Sequence, residues 1–243
     1  MKKSEDKLYI IMPAYNEEAN IKDVIDSWYP VVEKIGKESR LVIIDDGSKD
    51  NTYKIMKELS KDKKQFIPIT KDNSGHGATV LYGYNYALNE KCDYVFQTDS
   101  DGQTNPDEFY EFWDLRKDYD MVIGHRNTRE DGFSRVVVTK VLKLVIKLCF
   151  RVSVPDANTP FRLMEAKKLK ENLKYIPKDF NLSNVILSVI YAKKKEKVKF
   201  IPITFRPRQG GVNSINLKRI FKIGIQALKD FRKINKSLKK IEK

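Results

Sequence analysis

Two aspartates one residue apart follow a short hydrophobic run in the middle of the chain. Asp99 and Asp101 come shortly after the run from Tyr94 to Phe96, which has the composition of a buried strand. Two carboxylates this close repel each other unless a positive charge lies between them. A divalent cation would supply that charge, and a solvated acidic loop is the alternative that needs no ligand. The pair is therefore a candidate metal site with a structural alternative still open.

The elements that must position these acids are short β-rich runs separated by segments of helical spacing, such as the one from Ile21 to Trp28. Strand–helix alternation predicts an α/β fold with a mostly parallel sheet covered on both faces. No internal repeat or low-complexity linker appears, so we predict one domain over residues 1–215 and a C-terminal appendage over 216–243. The strand candidates are Leu8 to Met12, Leu41 to Ile44, Phe66 to Ile69, Tyr94 to Phe96 and Met121 to Ile123.

A polar or acidic cluster follows each of the five predicted strands. Each cluster alone has a structural explanation: Asp45-Asp46-Gly47-Ser48 suits a turn before a helix, and His76 between two glycines suits tight packing. Because ligands bind beyond the carboxyl ends of parallel strands, the clusters together predict one binding site at one edge of the sheet. The clusters are Pro13 to Glu17, Asp45 to Ser48, Asn73 to Gly77, Asp99 to Gln103 and Gly124 to Arg126.

Composition indicates a globular protein of a reducing compartment. The chain has 243 residues and is 41% hydrophobic, which is enough for a sizeable core. Cys92 and Cys149 lie far apart in apolar runs and are interpreted as buried thiols. The N-terminal residues lack the long apolar region of a secretory signal, and the longest uncharged apolar run, Phe180 to Ala192, is too short to cross a bilayer. We therefore expect a cytoplasmic protein, peripheral on the inner face of the membrane.

The positive charge of the chain is concentrated at its C-terminal end. The net charge is +14, and residues 216–243 contain ten Lys or Arg against Asp230 and Glu242, which accounts for +8 of it. This uneven distribution argues against a domain that binds nucleic acid as a whole, so no nucleic-acid partner is expected. A purely nucleotide- or nucleic-acid-binding module without activity remains an alternative, although acids at the strand ends would repel a phosphate backbone.

Five motifs occur along the chain in this order: "IIMPAYNEEANI", "LVIIDDGSKDNT", "NSGHGA", "QTDSDGQTNP" and "DANTPFRLM". Together they resemble glycosyltransferase family 2, an inverting family with the GT-A type fold. The resemblance covers roughly residues 7 to 215. Within the family the chain looks most similar to the polyprenyl-phosphate glycosyl transferases of the dolichol-phosphate mannose synthase group, because of Gln103, Arg126 and the sequence "PDANTPFR".

The resemblance implies a nucleotide-diphosphate sugar as the donor and direct displacement with inversion at the anomeric carbon. Asp99 and Asp101, helped by Gln103, would hold Mg²⁺ or Mn²⁺ against the diphosphate, and Asp101 counts among the catalytic residues. Asp46 would accept hydrogen bonds from the base or ribose, with Asp45 supporting it. The other residues expected at the nucleotide sugar are Pro13, Tyr15 and Glu17 around the nucleoside, and Ile44, Asn73, Gly77, Ser100, Arg208 and Ser214.

The acceptor is inferred from what the sequence lacks. A hydroxyl acceptor normally needs a general base. No Glu-Asp pair resembling the base of polysaccharide-making relatives appears late in the chain, where Asp156 is the best candidate and Asp179 a weaker one. A polyprenyl phosphate is already anionic and needs cations instead, for which Arg126, Arg135 and Arg162 are available. A hydroxyl acceptor, such as a glycan or polymer, remains the alternative.

The sequence departs from the family pattern in two respects. The usual late "R-x-x-G-x-S-K" keeps Arg208 and Ser214 but has Ile215 at the lysine position. Many relatives also continue into transmembrane helices, and no such helix is expected here.

Two amphipathic segments could instead contact an anionic membrane. The segment from Phe133 to Val152 is apolar on one face, with Lys140, Lys143, Lys147 and Arg151 at helical spacing. A core-facing helix is the alternative for this segment. The C-terminal segment could form a homodimeric coiled coil instead. Its near-heptad stripe consists of Leu217, Ile220, Gly224, Leu228, Phe231, Ile234, Leu238 and Ile241.

Overall fold

The computed structural model describes residues 6–126, 133–206, 228 and 230–238, and for 133–140 it describes the backbone alone. The helices are α1 (Ile21–Ile35), α2 (Thr52–Leu59), α3 (His76–Asn89), α4 (Phe109–Asp114), α5 (Phe133–Phe150), α6 (Ala166–Leu173) and α7 (Ser183–Lys193). The strands are β1 (Leu8–Ala14), β2 (Arg40–Asp45), β3 (Phe66–Thr70), β4 (Tyr94–Gln97), β5 (Met121–Arg126), β6 (Arg162–Glu165) and β7 (Val198–Ile203).

These seven strands form a single sheet in the order β3-β2-β1-β4-β6-β5-β7. Every neighbouring pair is parallel except the two that involve β6, which runs antiparallel to β4 and β5. The mostly parallel sheet and the five predicted strands are confirmed. The sequence did not predict β6 or β7, since β6 has four residues and β7 interrupts its apolar pattern with Lys199 and Pro202.

The hydrophobic core lies on both faces of this sheet, as a parallel sheet requires. On one face α1 packs Trp28 against Phe96 of β4, with ring centroids 5.5 Å apart. On the other face α3, α5 and α7 cover the sheet and bury side chains such as Tyr84 and Ile190. The helical spacing seen in the sequence from Ile21 to Trp28 corresponds to the buried side of α1. The predicted two-layer cover of the sheet is therefore present.

The described part of the C-terminal segment is helical and packs on the domain. Phe231, Ile234 and Leu238 are buried, and the ring of Phe231 lies 5.4 Å from that of Phe150 in α5. Asn235 Nδ2 also donates a hydrogen bond of 2.7 Å to the carbonyl oxygen of Cys149. Over residues 230–238, the expectation that the apolar stripe is available to a membrane or to a second copy is therefore wrong. The stripe residues outside the described part are Leu217, Ile220, Gly224 and Ile241.

Within the described residues, no helix is both long and apolar enough to cross a membrane. The uncharged run from Phe180 to Ala192 becomes mostly α7, whose buried residues include Val185, Ile186 and Tyr191. Cys92 is buried, Cys149 is partly buried, and both are free thiols.

Candidate active site

Asp46 lies just beyond the end of β2 and holds the loop that follows β3. Its carboxylate accepts hydrogen bonds of 2.9 Å from the backbone N–H groups of Ser74 and Gly75, and another from Lys71 Nζ. Burial alone would raise the pKa of this carboxyl, but Lys71 and the backbone N–H of Ser74 outweigh burial and lower the pKa of Asp46. Asp46 is therefore ionised at neutral pH, and its position at the sheet edge agrees with the predicted cluster.

Asp45 supports this arrangement from the last position of β2. Its carboxylate accepts a hydrogen bond of 2.8 Å from Thr70 Oγ1 and one of 3.2 Å from the backbone N–H of Ser48. Gly47 follows with a φ of 69°, and a Cβ there would lie 2.9 Å from the backbone nitrogen of Asn73. Only glycine fits this turn without strain, because the left-handed conformation and the close approach both exclude a side chain.

The end of β1 contributes both a buried acid and an exposed aromatic ring. Tyr15 is 43% exposed, whereas Glu17 is buried and accepts a hydrogen bond of 3.1 Å from Asn20 Nδ2. The carbonyl oxygen of Pro13 accepts a hydrogen bond of 2.8 Å from the buried hydroxyl of Ser100. This bond ties the carboxyl end of β1 to that of β4. Ile44 is fully buried in the core cluster, so its side chain does not face the sheet edge.

The turn after β4 presents the two closely spaced acids. Gln103 fixes this turn, because its backbone N–H donates to Asp101 Oδ1 at 3.1 Å. The side-chain amide nitrogen of Gln103 donates to the carbonyl oxygen of Arg206 at 2.8 Å, so the amide oxygen is the atom that a cation could use. Asp99 is more accessible than Asp46, with 27% of its side chain exposed against 5%. Asp99 and Asp101 therefore project beyond the strand rather than into the core.

His76, at the start of α3, lies among the acids of the site. Its Nε2 atom is 3.1 Å from Asp99 Oδ1. Desolvation in the site opposes a positive charge on the ring, but the charges of Asp99, Asp101 and Asp46 outweigh it and raise the pKa of His76. Gly75, the residue before His76, donates its backbone N–H to Asp46 at 2.9 Å, so the start of α3 connects the ends of β2 and β4. The sequence suggested a packing role for His76 and missed this contact, which no spacing pattern signals.

The oxygen donors of Asp99, Asp101 and Gln103 suit a hard divalent cation that takes its remaining ligands from outside the protein. Among the residues that the structure describes, no group of three or more His, Cys, Asp and Glu side chains surrounds a metal position. Two carboxylates and an amide oxygen are the oxygen donors that Mg²⁺ and Mn²⁺ use, with phosphate oxygens and water completing the shell. The residues Asp99, Asp101 and Gln103 therefore suit a cation that binds together with a diphosphate.

Arg126 and Asp156 form a bidentate ion pair on the β5 side of the edge. Arg126 Nε and Nη2 donate to the two carboxylate oxygens of Asp156 at 2.8 and 3.0 Å. The two side chains are only 14% and 10% exposed, and the guanidinium lies 5.0 Å from the ring of Phe205. The sequence proposed separate roles for these residues, as a phosphate ligand and as a candidate base. The structure brings them together instead, although 30 positions separate them in the chain.

Arg162 does not join this cationic group, and the expectation that it is available to an acceptor is wrong. It lies in β6 with no exposed surface, and its guanidinium donates to carbonyl oxygens of Thr159, Ala157 and Asn184. Burial lowers the pKa of this guanidinium, while its hydrogen bonds fix the chain that follows Asp156. Arg162 is thus a structural residue beneath the site.

Of the remaining predicted site residues, two lie in the described loop and helix after β3, and the side chains of three lie outside the described part of the chain. The side-chain amide nitrogen of Asn73 donates to the carbonyl oxygen of Asp46 at 2.8 Å. A Cβ on Gly77 would lie 2.3 Å from the carbonyl oxygen of Asn181, so close packing explains this glycine and its role at the nucleotide stays a prediction. Arg135 lies in α5, but its side chain is outside the described part of the chain, as are Arg208 and Ser214 altogether.

The model of the family named Glycosyl transferase family 2 matches residues 9–173, and the chain belongs to that family. The resemblance seen in the sequence motifs is therefore confirmed. One relative, the UDP-N-acetylglucosamine--dolichyl-phosphate N-acetylglucosaminyltransferase of Methanococcus voltae, is 34% identical over 186 residues, which cover 68% of this chain and 72% of the relative.

Another relative is the undecaprenyl-phosphate 4-deoxy-4-formamido-L-arabinose transferase of Proteus mirabilis, 27% identical over 144 residues. The match covers 58% of this chain but 43% of that relative, so the chain spans less than half the length of this protein. Both names describe transferases that act with a polyprenyl phosphate.

Solved structures support the predicted GT-A type fold. A crystal structure of glucosyl-3-phosphoglycerate synthase from Mycobacterium tuberculosis, with Mn²⁺, UDP-glucose and phosphoglyceric acid, superposes with a TM-score of 0.68. The superposition covers 95% of this chain and 80% of that one, at 16% sequence identity. At this identity the likeness shows the fold alone.

Proposed function

We propose that this protein is an inverting glycosyltransferase that moves a sugar from a nucleotide-diphosphate sugar to a polyprenyl phosphate at an anionic membrane surface. The observation that carries the proposal is that three acids lie at the carboxyl edge of the sheet. Asp46 accepts a hydrogen bond from the backbone N–H of Gly75, and the next residue, His76, contacts Asp99. Asp101 lies in the same turn as Asp99. Such an edge is where open α/β sheets bind their ligands. The names of the two relatives support a lipid phosphate as the acceptor.

On the donor side, the residues at the ends of β1 and β2 bind the nucleoside and those after β4 bind the diphosphate. The exposed ring of Tyr15 offers a wall for the nucleoside, and the ionised Asp46 accepts hydrogen bonds from it. Asp99, Asp101 and the amide oxygen of Gln103 hold Mg²⁺ or Mn²⁺. When bound, the cation offsets the negative charge that develops on the leaving nucleotide diphosphate.

On the acceptor side, Arg126 orients the attacking phosphate. Asp156 engages two of the five N–H groups of this guanidinium, which leaves the others for a phosphate oxygen. Asp156 is a poor general base in this state, because both carboxylate oxygens already accept hydrogen bonds from a cation. A phosphate oxygen attacks without losing a proton, so this arrangement suits a phosphate acceptor better than a hydroxyl acceptor. Arg135 is proposed as a second phosphate ligand from α5.

The test compares two acceptors that differ only in the phosphate. The protein is incubated with a panel of nucleotide sugars and Mn²⁺, together with either a polyprenyl phosphate or the corresponding polyprenol. We expect nucleotide release and glycolipid formation with the phosphate alone. Equal transfer to the polyprenol would replace the phosphate acceptor by a hydroxyl acceptor. Absence of donor turnover with every sugar nucleotide and either acceptor would overturn the proposed function.

The role of Asp46 leads to a prediction about donor affinity. Asp46→Asn should weaken binding of the preferred nucleotide diphosphate by about 1.5–3 kcal/mol, the range for a hydrogen bond to a charged group. Calorimetric titration measures the dissociation constant, and thermal unfolding shows whether the loop of Ser74 and Gly75 loosens. The matched control is Asp72→Asn, an exposed acid of the same loop that should bind the nucleotide as the wild type does. An unchanged dissociation constant for Asp46→Asn would contradict the assigned role.

A further inference from the structure

Helix α5 exposes a row of large apolar side chains to solvent. Val141, Leu144 and Leu148 are 54%, 56% and 72% exposed, the three largest exposures among the large hydrophobic side chains that the structure describes. Their spacing of three and four residues places them on one face of the helix. Scattered single apolar residues are normal on a surface, but a continuous row on one helix indicates an interaction surface.

The same helix is fixed to the domain by its opposite face. Ile146 and Phe150 are 2% and 1% exposed and belong to the core cluster. Phe231 of the C-terminal helical segment packs on Phe150, so this segment covers the inner side of α5 and leaves the outer row exposed. The apolar row is therefore held outward by an anchored helix.

Basic side chains lie directly beside the apolar row. Lys143, Lys147 and Arg151 are all exposed and follow one another at intervals of four. With about 3.6 residues per turn, Lys143 and Lys147 fall on the strip next to the apolar row and away from the core side, and Arg151 follows directly after the end of α5. The sequence of α5 contains no Asp or Glu. An outer face that is apolar along one strip and cationic along the next has the pattern of a helix lying in an anionic membrane interface.

The position of α5 in the chain connects this face to the acceptor side of the site. The helix follows β5, which ends at Arg126, and the chain returns from Phe150 to Asp156, which pairs with Arg126. The six residue steps from Phe150 to Asp156 span at most about 21 Å. A bilayer on the outer face of α5 would therefore lie close to the residue proposed to bind the acceptor phosphate.

We infer that the outer face of α5 is the surface by which the protein docks on an anionic lipid bilayer. Val141, Leu144 and Leu148 enter the boundary between headgroups and acyl chains. The basic strip of Lys143 and Lys147, with Arg151 just beyond the helix, binds lipid phosphates. A second copy of the chain fits this face less well, since a twofold contact would bring two cationic strips together. The inference rests on the proposed function for its purpose, a lipid acceptor, but its test is lipid binding itself.

The experiment measures co-sedimentation with vesicles of phosphatidylcholine, with and without phosphatidylglycerol. Two double variants divide the face: Leu144→Gln with Leu148→Gln, and Lys143→Gln with Lys147→Gln. We expect the charge variant to bind the anionic vesicles at least about tenfold more weakly. The apolar variant should lose about tenfold or more on the same vesicles, because two side chains no longer enter the interface.

Control variants on two other helices, α2 and α3, separate this surface from non-specific binding to vesicles. Lys54→Gln with Lys57→Gln removes two exposed lysines from α2, and Tyr82→Gln removes an exposed aromatic ring from α3. Both control variants should bind the vesicles as the wild type does. Unchanged binding of the two α5 variants, or an equal loss in the α2 control, would overturn the inference. A change from dimer to monomer in the apolar variant, without loss of vesicle binding, would likewise overturn it in favour of self-association.

The proposed function is measured apart from this surface. Transfer to a water-soluble short-chain prenyl phosphate, without vesicles, needs the active site but no membrane. Loss of vesicle binding in the α5 variants with intact transfer to this acceptor supports the docking surface. If the wild type binds vesicles through α5 but transfers no sugar to any prenyl phosphate, the proposed function fails while the docking surface stands.

Discussion

Replacing Asp101 by asparagine should remove most sugar transfer while the protein stays folded. Asp101 lies in the turn after β4, outside the two core clusters, and its Oδ1 accepts from the backbone N–H of Gln103 at 3.1 Å. An asparagine oxygen can accept the same hydrogen bond, so the turn is kept. A neutral amide is, however, a weaker ligand of Mg²⁺ or Mn²⁺ than a carboxylate. We expect a loss of about 100-fold or more in the rate of transfer.

The measurement is the initial rate of nucleotide release at a series of Mn²⁺ concentrations, with unfolding followed in parallel. Excess Mn²⁺ should recover part of the Asp101→Asn activity, because the defect is in cation binding. Asp107→Asn, an exposed acid six positions further on, makes the same chemical change and should keep full activity. Full activity in Asp101→Asn, or in the wild type with EDTA, would show that no metal acts at this position.

The fold was largely accessible from the sequence because its central strands are continuous apolar runs. A strand buried on both faces is recognised as an unbroken apolar run, without an alternating pattern. The run from Leu41 to Ile44 is an example, since all four residues are fully buried in β2. Strand β6 gave no such signal. It begins with Arg162, whose buried guanidinium is satisfied by backbone oxygens as distant in sequence as Asn184, and those partners exist only in the folded chain.

Site residues at the ends of strands could be predicted from the sequence, whereas contacts between side chains distant in the chain could not. Asp46 and Asp99 were expected at one edge because parallel strands end there, and in the structure the adjacent residues Gly75 and His76 contact them. The pair of Arg126 and Asp156 carries no signal of this kind, because the whole of α5 separates its two members. The contact between Lys71 and the Asp46 carboxylate was also missed, because the two residues are 25 positions apart in the chain.

Amphipathic spacing predicted helices but not what covers their apolar sides. The stripes of α5 and of residues 230–238 look alike in the sequence, since both combine apolar spacing with lysines. In the structure Leu148 is 72% exposed, whereas Phe231 is fully buried. The difference comes from which helix the rest of the domain covers, and that depends on tertiary packing.

Arg126→Ala is expected to have the second largest effect, and it should act on the acceptor rather than the donor. The change removes a charge-assisted contact of about 1.5–3 kcal/mol from the lipid phosphate, which corresponds to a loss of about 10- to 100-fold in lipid-dependent transfer. Hydrolysis of the donor by water should fall much less, because Asp99 and Asp101 are untouched. The variant also removes the bidentate hydrogen bonds of Arg126 to the buried Asp156 carboxylate, so a lower free energy of unfolding is expected and is measured separately.

Arg126→Lys separates the charge from the geometry. It keeps a cation beside Asp156 but cannot reproduce the two parallel hydrogen bonds of 2.8 and 3.0 Å. We therefore expect near-normal stability with only partial recovery of transfer. Full recovery would mean that a simple positive charge suffices, and that the planar guanidinium does not orient the acceptor.

Asp156→Asn decides between a positioning residue and a general base. If Asp156 only orients Arg126, the asparagine variant should lose less transfer than Arg126→Ala, and the double variant should be little worse than Arg126→Ala alone, since the two residues act as one unit. The pH dependence of transfer should also keep its shape. A general base would behave differently: Asp156→Asn would abolish transfer and remove the acidic limb of the pH profile, while Arg126→Lys stayed active. That result would replace the phosphate acceptor by a hydroxyl acceptor and leave the metal site of Asp99 and Asp101 unchanged.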